Sequence, residues 1–239
     1  MTEFYRTFAK VYDQIMDQSL YDEWLAFSLR HFSSDTRSIL ELACGSGELS
    51  LRMSQAGYKV TGLDISQEML SLAREKLPEA TFVMGDMRKL RFKQQFDAVT
   101  CYSDSLCYLA DLDELAQVFE GVYKALKPRG IFIFDVHSTH QVDEIFPAYS
   151  YHENEEDFAF LWDSYAGGQA HTVEHQLSFF IKQADGRFTR KDELHVERTY
   201  PVSSYLAKLS AFAAVEVFAD FTDQSPEPES ARWFFVCKK

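Results

Sequence analysis

The stretch "ILELACGSGELS", Ile39–Ser50, decides how the rest of the chain is read. It opens as a short apolar run, as a buried strand does. It then passes through Gly45 and Gly47 and continues as the start of a helix. Glycines at such a turn let a ligand approach the backbone closely, because they lack a Cβ and adopt left-handed φ freely. Glu41 lies inside the apolar run, where it would repel a pyrophosphate and attract a cation. A dinucleotide loop also asks for a third glycine, and Ser50 stands in its place.

Working outward, four more short apolar runs follow: "KVTGLD" (Lys59–Asp64), "ATFVMGD" (Ala80–Asp86), "FDAVTCY" (Phe96–Tyr102) and "IFIFDV" (Ile131–Val136). Helical patterns lie between most of them. Ser66–Leu77 opens with an N-capping serine and is ended by Pro78. Leu112, Leu115, Val118, Phe119, Val122 and Leu126 line one face of another helix. Strands that are apolar on both faces and alternate with helices predict a doubly wound α/β fold, a parallel sheet covered on both sides. Two helices precede it, over Thr2–Gln18 and about Leu20–Phe32. After Val136 the alternation fails. Aromatic runs over 157–198 break at Gly167-Gly168 and Asp185-Gly186, the pattern of an inserted antiparallel sheet with hairpin turns. The chain thus divides into a core of 1–139 and 199–239 and an insertion of 140–198. A last helix, about Pro201–Ala211, leads to two final strands. The acidic stretch "HENEED", His152–Asp157, reads as a solvated loop.

In an open parallel sheet, ligands bind beyond the carboxyl ends of the strands. Asp64 ends the second strand, where a carboxylate accepts from a ribose diol, and Asp86 ends the third, where it meets an exocyclic amine. Together with Glu41 these positions ask for an adenosine that carries positive charge and needs no phosphate. S-adenosylmethionine has a cationic sulfonium, an ammonium and a free ribose diol, and fits.

The stretches "LELACGSGE", "VTGLDIS..ML", "FVMGDM", "FDAVTCYSDSLCYL" and "LKPRGIFIFDV", in this order and spacing, resemble the class I S-adenosylmethionine-dependent methyltransferases. The opening "FAKVYDQIM" (Phe8–Met16) is similar to a small-molecule subgroup that includes glycine and amino-sugar N-methyltransferases. The resemblance implies a mostly parallel seven-stranded Rossmann-like sheet, with "ARWFFVCKK" as its antiparallel strand. It also implies cofactor contacts. Glu41, Ala43 and Gly45, with Gly47 in the same loop, would meet the methionine end. Asp64 would hold the ribose, and Ile65 and Met69 would pack on the adenine. Asp86 and Met87 would meet the adenine amine and ring, and Cys101 and Tyr102 would border the sulfonium. Tyr12 is a further candidate contact. One departure is Ala43, where many members have the first glycine of the loop.

Methyl transfer is an in-line displacement with a neutral leaving group, so positioning lowers much of the barrier and a base serves only a protonated nucleophile. His137, directly after the fifth strand, is the best base candidate, with Tyr102 beside it. Ser103, Asp104 and His137 are placed to orient an acceptor. His171 and His175 share one face of a strand by spacing, but no third ligand accompanies them, so no metal is expected.

The bulk numbers agree with a small-molecule enzyme. The chain has 239 residues, 46% of them apolar, and a net charge of −13, which disfavours a polyanionic partner without ruling out RNA gripped by a local basic groove. No apolar run spans a bilayer and the four cysteines form no paired motif, so a cytoplasmic monomer or homodimer without membrane contact is expected. The expected reaction is methyl transfer to a small molecule, with an amine as one candidate. The alternatives are an RNA or protein methyltransferase and a non-catalytic S-adenosylmethionine-binding module.

Overall fold

The computed structural model describes residues 17–239, so most of the predicted first helix, and Tyr12 with it, lies outside the described residues. The described chain begins at Asp17, which caps α1 (Gln18–His31) by accepting the Ser19 N–H at 2.9 Å. There follow β1 (Ser38–Leu42), α2 (Glu48–Gln55), β2 (Lys59–Asp64), α3 (Gln67–Lys76), β3 (Thr81–Met84), β4 (Phe96–Cys101), α4 (Leu112–Ala125) and β5 (Leu126–His137). Next come β6 (Ser150–Asn154), β7 (Phe158–Ala166), β8 (Thr172–Lys182) and β9 (Phe188–Arg198). The chain ends with α5 (Val202–Lys208), β10 (Ala214–Ala219) and β11 (Arg232–Lys238).

The main sheet has the order β3-β2-β1-β4-β5-β11-β10. Only β11 runs against its neighbours, pairing antiparallel with β5 and β10. The doubly wound, mostly parallel seven-stranded architecture is therefore as expected. Its alternation is visible within β1. Leu40 and Leu42 face the core shared with Leu115, Val118 and Phe119 of α4, while Ile39 faces the core shared with Trp24 and Phe27 of α1 and Met53 of α2. Glu41 falls on the Ile39 side by the same period. The chain leaves β1 outward to β2 and β3, then returns to β4 on the other side of β1. The resulting crevice opens at the carboxyl ends of β1 and β4.

The second sheet is the antiparallel meander β6-β7-β8-β9, turned at Gly167-Gly168 and at Gly186, whose φ is +81°. Two sequence readings change here. His152–Asn154, read as loop, completes β6, because its residues pair with Ala159–Leu161 of β7. His171 lies in the turn before β8 with φ +56° and binds Asp143, so it does not share a strand face with His175, and His175 is buried rather than on the surface. All four cysteines are free and buried, and no helix among the described residues is long and apolar enough to cross a membrane.

Candidate cofactor and acceptor site

At the end of β1 the backbone turns through Ala43 and Gly45, both left-handed at φ +52° and +51°. Alanine pays a Cβ clash there that glycine would not. Gly47 caps α2 at φ +82°, and a Cβ on it would stand 2.9 Å from the Ala73 Cβ of α3. Its absent side chain therefore serves the packing of α2 on α3, and Gly47 does not line the ligand cavity.

Glu41 is buried and accepts a short hydrogen bond from Ser50 Oγ, which explains why serine replaces the third glycine. Burial pushes the Glu41 carboxyl up to about 8, with Asp64 adding to the shift and the Ser50 hydroxyl opposing it. Asp64 ties two loops together: its Oδ2 accepts the Gly45 N–H and its Oδ1 the Ser66 N–H, both at 2.8 Å. Each oxygen keeps acceptor capacity for a ligand.

Glu41, Ala43, Gly45, Asp64, Ile65 and Met69 line one end of a cavity of about 1210 Å³. Tyr102, Ser103, Asp104 and His137 line it further along. A second hollow of about 210 Å³ adjoins it across Ala43, Asp64 and Ile65, and Asp86 and Met87 border that one. Arg88 grips Asp86 at 2.7 Å and holds its carboxyl below the usual range, a contact the sequence did not reveal. Cys101 faces the strand core and lines neither space. The Tyr102 ring stacks on Trp24 at 6.1 Å and its hydroxyl shares a 2.7 Å hydrogen bond with Ser28 Oγ. Burial drives its phenol well above its ordinary range, which keeps it protonated near pH 7.

The far end of the cavity holds a buried network absent from the sequence reading. Antiparallel pairing sets Arg232 of β11 opposite His137 of β5. The Arg232 guanidinium binds Asp104 closely and Asp135 Oδ2 at 2.5 Å, and Trp24 Nε1 donates to the same Asp135 oxygen at 2.8 Å. Ser103 and Asp104 adopt left-handed φ of +56° and +54°, which turns Asp104 back onto this guanidinium. The Arg232 charge and the neighbouring His137 hold the Asp104 carboxyl below its ordinary range despite burial, whereas burial raises that of Asp135. His137 Nε2 stands 3.1 Å from Asp104 Oδ2 and 3.5 Å from Glu197 Oε2, the latter from β9 of the second sheet. One ligand atom from each of Asp104, His137 and Glu197 lies within 4.8 Å of the others, a spacing that suits a cation.

His175 lies next to this group, 3.9 Å from Glu197 Oε1. The Trp162 indole donates to His175 Nδ1 at 3.0 Å, so in the neutral ring the proton sits on Nε2, toward Glu197. Burial, then the neighbouring His137 and His195, lower its pKa to about 4, which keeps it neutral near pH 7. Beyond it, Phe160, Trp162, Leu177 and Phe179 of the second sheet form the apolar wall of the cavity.

A family model described as a methyltransferase domain matches residues 39–130. The chain is 40% identical to the methyltransferase candidate YqeM of Bacillus subtilis (strain 168), over 98% of this chain and 97% of that one. It is 32% identical to the dTDP-3-amino-3,4,6-trideoxy-alpha-D-glucopyranose N,N-dimethyltransferase of Streptomyces venezuelae, over 46% of this chain and 47% of that one. The crystal structure of an S-adenosylmethionine-dependent methyltransferase from Clostridium acetobutylicum superposes with a TM-score of 0.83 at 25% identity, covering 99% of each chain.

Proposed function

The chain belongs to the S-adenosylmethionine-dependent methyltransferases, and on that premise we propose that it methylates the nitrogen of a small-molecule amine. The observation that carries this reading is the anionic far end of the cavity. Asp104, Glu193 and Glu197 line it, and the two cations among the described lining residues are already bound, Arg232 by Asp104 and Asp135 and Lys191 by Glu193. Such a wall attracts an ammonium and repels carboxylates and phosphates.

The donor set at the near end fits S-adenosylmethionine. A buried carboxylate at Glu41 suits the cationic methionine end, and Asp64 retains acceptors for a ribose. The hollow beside Asp86 and Met87 suits a flat base. When bound, the cofactor supplies a methyl group on a positively charged sulfur. The chain's part is to orient the acceptor and exclude water. The insertion, residues 140–198, provides the apolar acceptor wall, and about 1210 Å³ is room for a cofactor and a small acceptor together. His137 and Glu197 are the groups placed to receive a proton from the acceptor. The relative from Streptomyces venezuelae, an N,N-dimethyltransferase by name, supports nitrogen as the acceptor atom.

The test is S-adenosylhomocysteine release with matched panels of amines, alcohols and carboxylic acids, and with bulk tRNA and protein. Turnover confined to amines is expected. Turnover with tRNA or protein and none with small molecules would overturn the reading.

A further inference from the structure

The Streptomyces venezuelae relative is named for a dTDP-linked amino sugar, whose diphosphate needs cations to hold it. The acceptor end of this cavity offers a diphosphate no unpaired cation among the described residues. The described side chains that bring positive charge to it are spoken for: Arg232 lies between two buried carboxylates, and Lys191 contacts Glu193 at 2.7 Å. His195 adds no free charge, since its Nε2 lies 3.0 Å from Glu193 and its Nδ1 2.8 Å from the Tyr108 hydroxyl. A diphosphate placed here would face Asp104, Glu193 and Glu197.

One acceptor atom in this wall is short of a hydrogen bond, although the His137 and Tyr108 side chains stand near its carboxyl. Glu197 is 5% exposed, and its Oε2 accepts no hydrogen bond from any described group. The nearby His137 Nε2 is 3.5 Å away and stands closer to Asp104, at 3.1 Å. A buried carboxylate oxygen left without a donor is costly, and a ligand N–H would satisfy it. Three carboxyl groups, those of Asp104, Asp135 and Glu197, stand here against one guanidinium, that of Arg232, which favours a cationic ligand. The apolar wall begins at once beside it. The Phe146 ring lies 4.8 Å from both His137 and His175, and Trp162 lies 5.3 Å from His175.

We propose that Glu197 Oε2, with Asp104 and His137, is the docking site for the acceptor's ammonium, and that the acceptor is a phosphate-free primary or secondary amine on an aromatic or other apolar body. This rests on the amine reading above and narrows it. The bound ammonium gives one proton to Glu197 Oε2, and the electron pair of the broken N–H bond becomes the lone pair that attacks. Burial already raises the Glu197 carboxyl above its ordinary range, consistent with its taking that proton.

The experiment uses the full chain saturated with S-adenosylhomocysteine. It is titrated calorimetrically with phenethylamine, tryptamine and their N-methyl derivatives, with the matching alcohols, and with a dTDP-linked amino sugar. Turnover with S-adenosylmethionine is followed in parallel. At least one aromatic amine is expected to bind saturably and turn over, with its alcohol at least tenfold weaker and the nucleotide sugar inert. Glu197→Gln is expected to raise the amine KM tenfold or more and leave S-adenosylhomocysteine affinity unchanged, which also reports that the variant folds. Turnover of the nucleotide sugar without turnover of any free amine would overturn this inference and leave amine methylation standing. Alcohols methylated in place of amines would overturn both. Saturable Mn²⁺ binding that Glu197→Gln abolishes would overturn the ammonium site in favour of a metal.

Discussion

Replacing Glu41 by glutamine should weaken the cofactor site and stabilise the empty protein, and both effects should grow as pH rises toward 8. In the free chain burial pushes the Glu41 carboxyl up to about 8. At pH 7 it is therefore about nine-tenths protonated, and pairing with a cation requires that proton to leave. Below pH 8 the cost is about 1.4 kcal/mol per pH unit, so S-adenosylmethionine affinity should rise about tenfold per unit from pH 6 to 8 and level off above. Glutamine has no proton to release, so this slope disappears. Its affinity at pH 8.5 falls by about 1.5–3 kcal/mol, the value of a hydrogen bond to a charged group, or roughly tenfold or more. Stability moves the other way. Between about pH 4.5 and 8 the unfolded chain has released this proton and the folded chain still holds it, so the wild type loses stability as pH rises, and the loss ends near pH 8. The gap between variant and wild type should widen by about 1.4 kcal/mol per pH unit, or roughly 3–6 °C in melting temperature. Calorimetric titrations and thermal melts of both proteins at pH 5, 6, 7 and 8.5 read all of this. A wild-type affinity that shows the same pH slope as the variant would refute the reasoning.

Three further outcomes follow from backbone and core geometry. Ala43→Gly relieves a left-handed alanine at about 1–2 kcal/mol, partly offset by the added chain entropy of glycine, and should raise the melting temperature by about 1–4 °C without weakening cofactor binding. Gly47→Ala does the reverse, since its φ is left-handed and its Cβ meets Ala73; a loss of about 2–4 kcal/mol by denaturant unfolding is expected. Trp24→Phe removes the indole N–H from the fully buried Asp135 and should cost about 1–3 kcal/mol in the same measurement.

The sheet was legible because its strands are buried on both faces and therefore read as uninterrupted apolar runs. Helix starts were legible where a side chain caps them, as Ser66 caps α3 by accepting the Met69 N–H at 3.2 Å. The strand-end carboxylates stood out because a charge inside an apolar run is costly without a purpose. The same signal is present in Asp135 of "IFIFDV". Arg232 and Glu197 could not be placed from sequence. Arg232 reaches Asp135 only through the β11–β5 register across 97 residues of chain, and Glu197 reaches His137 only because the second sheet folds back over the strand ends. Cys101 and Tyr102 are neighbours at the end of β4, and the strand period sends Cys101 to the α4 core and Tyr102 to the opposite side.

The most direct test of the account is a calorimetric titration with S-adenosylmethionine on wild type and on Asp64→Asn. In either orientation an asparagine amide turns an N–H toward one of the two backbone N–H groups that Asp64 now accepts, and it also loses an acceptor for the ribose. Saturable binding by the wild type, weakened tenfold or more in a variant with an unchanged circular dichroism spectrum, is the predicted result. Equal affinity in the two proteins, or no binding by the folded wild type, would contradict the assignment of these strand ends as the cofactor site.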